Sequence, residues 1–248
     1  MRRLAVFDID GTLTDTNAVD DECYLRAVAD VLGLGPEGLD WSRAPHVTDS
    51  ALLRWLADQN ARPVEEYHEP AVIARLLELL QEQRATNPAR FAAIPGAATV
   101  RSELERRGWS IALATGAWEP SARLKLNAIG FDVAEIVLAS GTDALTRTDI
   151  VRCALRRATE QFGSFDRVVS IGDAVWDVRT AAAVEWPFVG VATGSRADVL
   201  RAAGASVLVP DLSDAAALCL ALETAEVPRF EDAPHAAVAR SGSDEVPR

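Results

Sequence analysis

Leu4-Ala5-Val6-Phe7-Asp8-Ile9-Asp10-Gly11-Thr12-Leu13-Thr14-Asp15 is the stretch on which the reading of the chain turns. Leu4 to Phe7 is continuously apolar rather than alternating, the pattern of a strand buried on both faces of a parallel sheet. Gly11 breaks the run, so Asp8 and Asp10 stand at its C-terminal edge. Ligands of open parallel α/β sheets bind at that edge. Residues two apart in extended backbone project to the same side, so both carboxylates point into one cavity. Carboxylates held close repel each other, and a divalent cation between them removes that cost. The chemistry on offer is a hard metal, oxygen ligands and a carboxylate nucleophile. Asp and Gly are also ordinary turn residues, so the rest of the chain has to decide.

Composition narrows the choice. The 248 residues are 49% hydrophobic, enough for one sizeable core or two. The net charge of −12 argues against non-specific nucleic-acid binding and against anionic membrane surfaces. An anionic substrate would be repelled at long range and needs local cations to capture it. Cys23, Cys153 and Cys219 are far apart, without CxxC spacing, which points to a reducing, cytoplasmic setting. No signal-peptide pattern is visible, since the first strand starts by Leu4 and meets charge by Asp8, and no run reaches membrane-spanning length. Lys125 is the sole lysine of the chain; arginine stands at the other basic positions.

From Asp15 to about Pro95 the pattern is helical: 20–32, 48–56 and 69–84, with no convincing strand. The loops 33–45 and 86–95 punctuate it. Strand and helix then alternate: helix 96–107, strand 109–114, helix 120–129, strand 133–138, helix 149–162, strand 167–171, helix 176–184, strand 188–191, helix 196–203, strand 206–209 and helix 214–223. Such alternation predicts a parallel sheet covered on both faces. Past Glu226, Pro, Ser, Gly and charged residues predict a poorly ordered tail, 226–248.

Three further stretches carry chemistry. Ser110-Ile111-Ala112-Leu113-Ala114-Thr115-Gly116 is a strand ending in a hydroxyl, where Thr115 and the amides of Gly116 and Ala117 can donate to a phosphoryl oxygen. In Gly172-Asp173-Ala174-Val175-Trp176-Asp177, Asp173 sits at a strand end, and Asp177 lies one helical turn on, to support the site or to cap the helix. His46-Val47-Thr48-Asp49 reads first as a helix cap, since Thr48 and Asp49 are both good N-cap residues.

In this order, Asp-x-Asp-Gly-Thr, the strand ending in Thr, and Gly-Asp-x-x-x-Asp resemble the signatures of the haloacid dehalogenase-like (HAD) hydrolase superfamily over roughly residues 4–209. The resemblance implies an α/β fold: a Rossmann-like doubly wound parallel sheet (1–16 and 92–225) with an inserted all-helical cap (17–91). It also implies Mg²⁺ and a phospho-aspartyl intermediate. On it, Asp8 is the nucleophile and Asp10 the general acid and then base. Asp8, the Asp10 backbone carbonyl and Asp173 hold the metal. Thr115, Gly116 and a cation stabilise the transferring phosphoryl. For that cation the uniqueness of Lys125 ranks it first and Arg147 second, although many relatives carry Lys where Arg147 stands. His46, Thr48 and Asp49 reach the leaving group, and Trp118 and Trp176 either wall the pocket or pack. The expected reaction is phosphatase action on a small phosphorylated metabolite; a phosphomutase or a non-catalytic binding protein on the same scaffold are the alternatives. Substrate identity and oligomeric state stay open at the sequence level.

Overall fold

The computed structural model describes residues 1–34, 44–66 and 68–229. Six strands form one parallel sheet: β1 (Arg3–Phe7), β4 (Trp109–Ala114), β5 (Val137–Ala139), β6 (Arg167–Gly172), β7 (Phe188–Val191) and β8 (Val207–Val209). Two more, β2 (Thr14–Asp15) and β3 (Ala92–Ala93), pair antiparallel as a short ribbon. The strand order of the sheet is β5-β4-β1-β6-β7-β8, so β1 lies inside it with β4 on one side and β6 on the other. Leu4 to Phe7 are buried, as their unbroken apolar run requires. Phe7 and Ala5 pack into one face's cluster with Ile111, Leu113 and Val169, while Leu4 and Val6 pack into the other's with Ala112 and Ala154.

Helices cover both faces: α4 (Ala97–Arg106), α5 (Glu119–Ala128), α6 (Arg147–Phe162), α7 (Val175–Ala183), α8 (Gly194–Ala202) and α9 (Ala215–Thr224). Between β2 and β3 the chain makes α1 (Asn17–Leu32), α2 (Asp49–Gln59) and α3 (His68–Thr86). These three close on their own apolar cluster, built from Tyr24, Val28, Leu53, Leu56, Leu76 and Leu80. Trp118, at the start of α5, is buried in that same cluster, so the helical insert is keyed into the sheet domain.

Some elements differ from the sequence reading. The expected strand 133–138 forms only at Val137–Ala139, because Glu135 takes a left-handed φ of 55°, which ends extended backbone. Ile136 and Val133 still pack against the core, which is why the stretch reads as apolar strand. The ribbon β2–β3 was not expected: two-residue strands carry no periodicity, and Asp15 and both alanines are exposed. The expected tail begins too early, since the carbonyl of Glu226 accepts a hydrogen bond from the Phe188 amide at 3.0 Å and Pro228 is buried. The rest of that tail, and most of the 33–45 loop, lie outside the described residues.

Candidate active site

The C-terminal ends of β1, β4 and β6 converge on one cavity of about 420 Å³. Asp10, Thr115, Gly116, Ala117, Arg147 and Asp173 line its sheet side, and Asn17, Asp20, Asp21, Asp49 and Leu52 its insert side. Asp8 lies one layer deeper, on a void of about 10 Å³ that it shares with Thr115, Arg147 and Asp177.

Two cation–carboxylate clusters flank the loop that follows β1. In the first, carboxylate oxygens of Asp8, Asp173 and Asp177 fall within 4.8 Å of one another. Arg147, the first residue of α6, crosses this group. Its guanidinium donates to Asp8 Oδ1 at 3.3 Å, to Asp177 Oδ1 at 2.7 Å and to the Val47 carbonyl at 2.9 Å. Thr12 bridges from above, 3.5 Å from Asp8 and 3.3 Å from Asp173. Arg196, from α8, pairs with Asp173 Oδ2. Burial, and then the charge of Asp177, push the Asp8 carboxyl well above the ordinary carboxylate range despite Arg147. Burial and Asp8 raise Asp173 to about 7. Burial lifts Asp177 to about 6, with Arg147 pulling the other way.

These three aspartates offer hard oxygen donors only, and three carboxylates facing two guanidiniums leave the group short of positive charge. An oxygen-liganded divalent cation fits both facts. Gly11 makes room for it: at φ 86° it turns the chain back, and a Cβ there would stand 2.2 Å from Asp173 Oδ2.

The second cluster surrounds Lys125, which is fully buried on α5. Its ammonium stands 2.7 Å from Asp10 Oδ2 and 2.8 Å from Asp20 Oδ1 of α1. The other oxygen of Asp10 accepts from the Thr16 hydroxyl at 2.6 Å. Burial alone would lower Lys125, but Asp10 and Asp20 outweigh it and hold the ammonium charged. Burial and Asp10 push Asp20 up to about 6 against the pull of Lys125. Asp49, nearby on α2, is pushed to about 8 by burial and by Asp20. Its Oδ2 accepts from the Trp118 amide at 2.8 Å, and its own amide donates to the Gly116 carbonyl at 2.9 Å. Gly116 permits this approach of insert to sheet, because a Cβ would stand 2.7 Å from the Val47 carbonyl and 3.0 Å from Arg147.

Asp8, Asp10, Thr115, Gly116, Lys125, Arg147, Asp173 and Asp177 therefore come together, though not in the expected pairing. Arg147, ranked second, touches Asp8; Lys125, ranked first, touches Asp10. Asp177 Oδ2 accepts from the Ala174 amide at the start of α7, and its Oδ1 accepts from Arg147 within the aspartate cluster. Ala117 is near, but its amide already donates to Thr115 Oγ1 at 3.1 Å, so it is not free for a phosphoryl oxygen. Thr48 caps α2, accepting from the Ala51 amide. His46 is exposed and lines a neighbouring groove, whereas Val47 and Thr48 line the cavity itself. Trp176 does wall the cavity, whereas Trp118 is core. Sequence reasoning missed Asp20, Thr12, Thr16 and Arg196. The lone lysine drew attention to position 125 but not to its carboxylate partners, and Arg196 carried no signal.

Phosphoglycolate phosphatase of Agrobacterium fabrum is 25% identical over 191 residues, 77% of this chain and 81% of that one. Tyrosine-protein kinase PtkA of Mycobacterium tuberculosis is 27% identical over 184 residues, 73% of this chain and 59% of that one. Among solved structures, CbbY from Rhodobacter sphaeroides in complex with phosphate superposes with a TM-score of 0.63 at 23% identity, covering 86% of this chain and 96% of that one. A putative β-phosphoglucomutase from Bacteroides vulgatus gives 0.65 at 20% identity, over 90% of each chain; both likenesses concern the fold. The model of the haloacid dehalogenase-like hydrolases matches residues 3–185, and the chain belongs to that family.

Proposed function

We propose that the chain is a Mg²⁺-dependent phosphatase of small phosphate monoesters, acting through a phosphoryl group carried on Asp8. The observation that carries this reading is the meeting of Asp8, Asp173 and Asp177 within 4.8 Å, beside Arg147, at the base of a cavity sized for a small ligand. A family relative named phosphoglycolate phosphatase adds support. Asp8, Asp173 and the Asp10 carbonyl would hold the cation, with Asp177 beside them; when bound it would neutralise the carboxylates and polarise the phosphoryl oxygens.

The residues divide the work as follows. Asp8 attacks phosphorus, forming a bond from its carboxylate oxygen as the bond to the leaving oxygen breaks. Asp8 lies below the cavity floor under Arg147, so the guanidinium turns from Asp8 to the incoming phosphoryl before attack. Arg147, the Thr115 hydroxyl and the Gly116 amide then stabilise the equatorial oxygens. Asp10 gives its proton to the leaving oxygen and afterwards takes one from the water that hydrolyses the acyl phosphate. Lys125 on one carboxylate oxygen and the Thr16 hydroxyl on the other hold Asp10 in place for both transfers. Residues 17–91 serve as a cap that excludes water and shapes the leaving-group side.

Phosphate release from p-nitrophenyl phosphate tests the reading. Activity with Mg²⁺, its loss on EDTA and its loss in Asp8→Asn are expected. Equal activity of wild type and Asp8→Asn would overturn it.

A further inference from the structure

We propose that Arg196 alternates between two partners: Asp173 when the aspartate cluster lacks a divalent cation, and an anionic group at the far end of the ligand when the cluster holds one. The second half rests on the phosphatase reading; the first stands on the cluster alone.

Two arginines serve the three clustered carboxylates, and they are held very differently. Arg147 is 16% exposed at its side chain and is fixed by Asp8, Asp177 and the Val47 carbonyl. Arg196 is 57% exposed, and its contact with the site is Asp173 Oδ2. An exposed guanidinium on one carboxylate is weakly held, because solvent screens the pair and the side chain gains rotamer freedom on release. A divalent cation seeking Asp173 competes for that same carboxylate. Once displaced, the guanidinium stays on the cavity wall with Ser195, Val199 and Leu200.

The remainder of the wall explains what the freed guanidinium meets. Facing it from the insert are Asn17, Asp20, Asp21 and Asp49, none of which brings a positive charge to an anion. Among the described residues lining the cavity, Arg147 and Arg196 are the basic ones, and Arg147 belongs to the phosphoryl end. A second anionic group on a ligand therefore finds Arg196. A neutral far end gains nothing there, so Arg196 sets a preference for phosphate esters bearing a further negative charge.

Calorimetry tests both halves without turnover. Magnesium chloride is titrated into metal-free wild type, Arg196→Ala and Arg196→Gln. Both variants should bind Mg²⁺ roughly three- to tenfold tighter, the return from losing an internal competitor in a partly exposed pair. With Mg²⁺ then saturating, phosphonopropionate and propylphosphonate, a non-hydrolysed pair differing in the distal carboxylate, are compared. Wild type should favour the carboxylate-bearing member by about tenfold, as for one charge-assisted contact, and the variants should lose that preference. Mg²⁺ affinity unchanged or weaker in the variants overturns the first half. No preference in wild type, or a preference kept in the variants, overturns the second. Failure of the phosphatase reading would show separately, as absent phosphate release from p-nitrophenyl phosphate.

Discussion

The two buried cation–carboxylate clusters lie on either side of one loop, yet they are balanced differently. Around Lys125, an ammonium with no exposure meets Asp10 and Asp20, while Asp49 is driven toward its neutral form. That cluster is close to settled in charge, and its partners come from α1, α5 and the β1 loop, so it locks insert to sheet. Around Arg147, three raised aspartates share one fixed guanidinium and one exposed one. That cluster is short of positive charge. The lesson is that a buried cation is not a catalytic cation by virtue of burial: Lys125 and Asp20 serve architecture and steady Asp10, while the unsettled cluster has affinity to spare for a metal and a phosphoryl group.

The largest effect should fall on the unsettled side. Asp8→Asn should lower phosphate release by a factor on the order of a thousand or more, since it removes the nucleophile. Its metal-free thermal midpoint should hold or rise, because the variant removes a carboxylate whose charge burial disfavours. A fall in both activity and midpoint would break the comparison. On the settled side, Lys125→Met should lower unfolding free energy in urea by about 3–5 kcal/mol, the usual cost of orphaning buried carboxylates. Loss of activity without loss of stability would instead make Lys125 a catalytic cation.

Arg147→Ala should lower kcat by roughly 10²–10³, the scale of a donor at a developing charge, with the smaller stability loss of the pair. The same effect from Lys125→Met at unchanged stability would reverse the two assignments. The smallest effect concerns Asp49. Folded Asp49 keeps its proton to about pH 8, whereas the unfolded chain releases it in the ordinary carboxylate range. The unfolded state then binds fewer protons, so stability falls as pH rises between those limits. Asp49→Asn keeps an acceptor for the Trp118 amide and should flatten that fall in thermal scans from about pH 5 to about pH 8; an unchanged slope would show that Asp49 is ionised in the folded protein.

Much of this was legible in the sequence because local rules and tertiary packing agree there. Trp109–Ala114 and Phe188–Val191 are strands with the expected bounds, each an apolar run with turn residues after it. Gly33, in the left-handed conformation at φ 67°, ends α1 where its position in the pattern says it should. Asp8, Asp10, Thr115 and Asp173 are brought near one another because each ends a strand or follows one in the same parallel sheet, and strand ends share an edge. Which cation meets which carboxylate was not legible. Lys125 and Arg147 both begin near the site, and the choice depends on the entry angles of α5 and α6 and on α1 bringing Asp20 to the ammonium. Asp173 and Arg196 belong to successive strand–helix units, and no spacing announces that the second helix will lean its arginine back over the first unit's aspartate.

The central claim, that Asp8 accepts the phosphoryl group in the metal-seeking cluster, is tested most directly by acid-quenching turnover of a small phosphate ester and mapping the modified peptide by mass spectrometry. The account predicts one added phosphoryl group on the peptide containing Asp8, present with Mg²⁺, absent with EDTA and absent from Asp8→Asn. Turnover with the phosphoryl group on another residue, or undiminished turnover in Asp8→Asn, would contradict it.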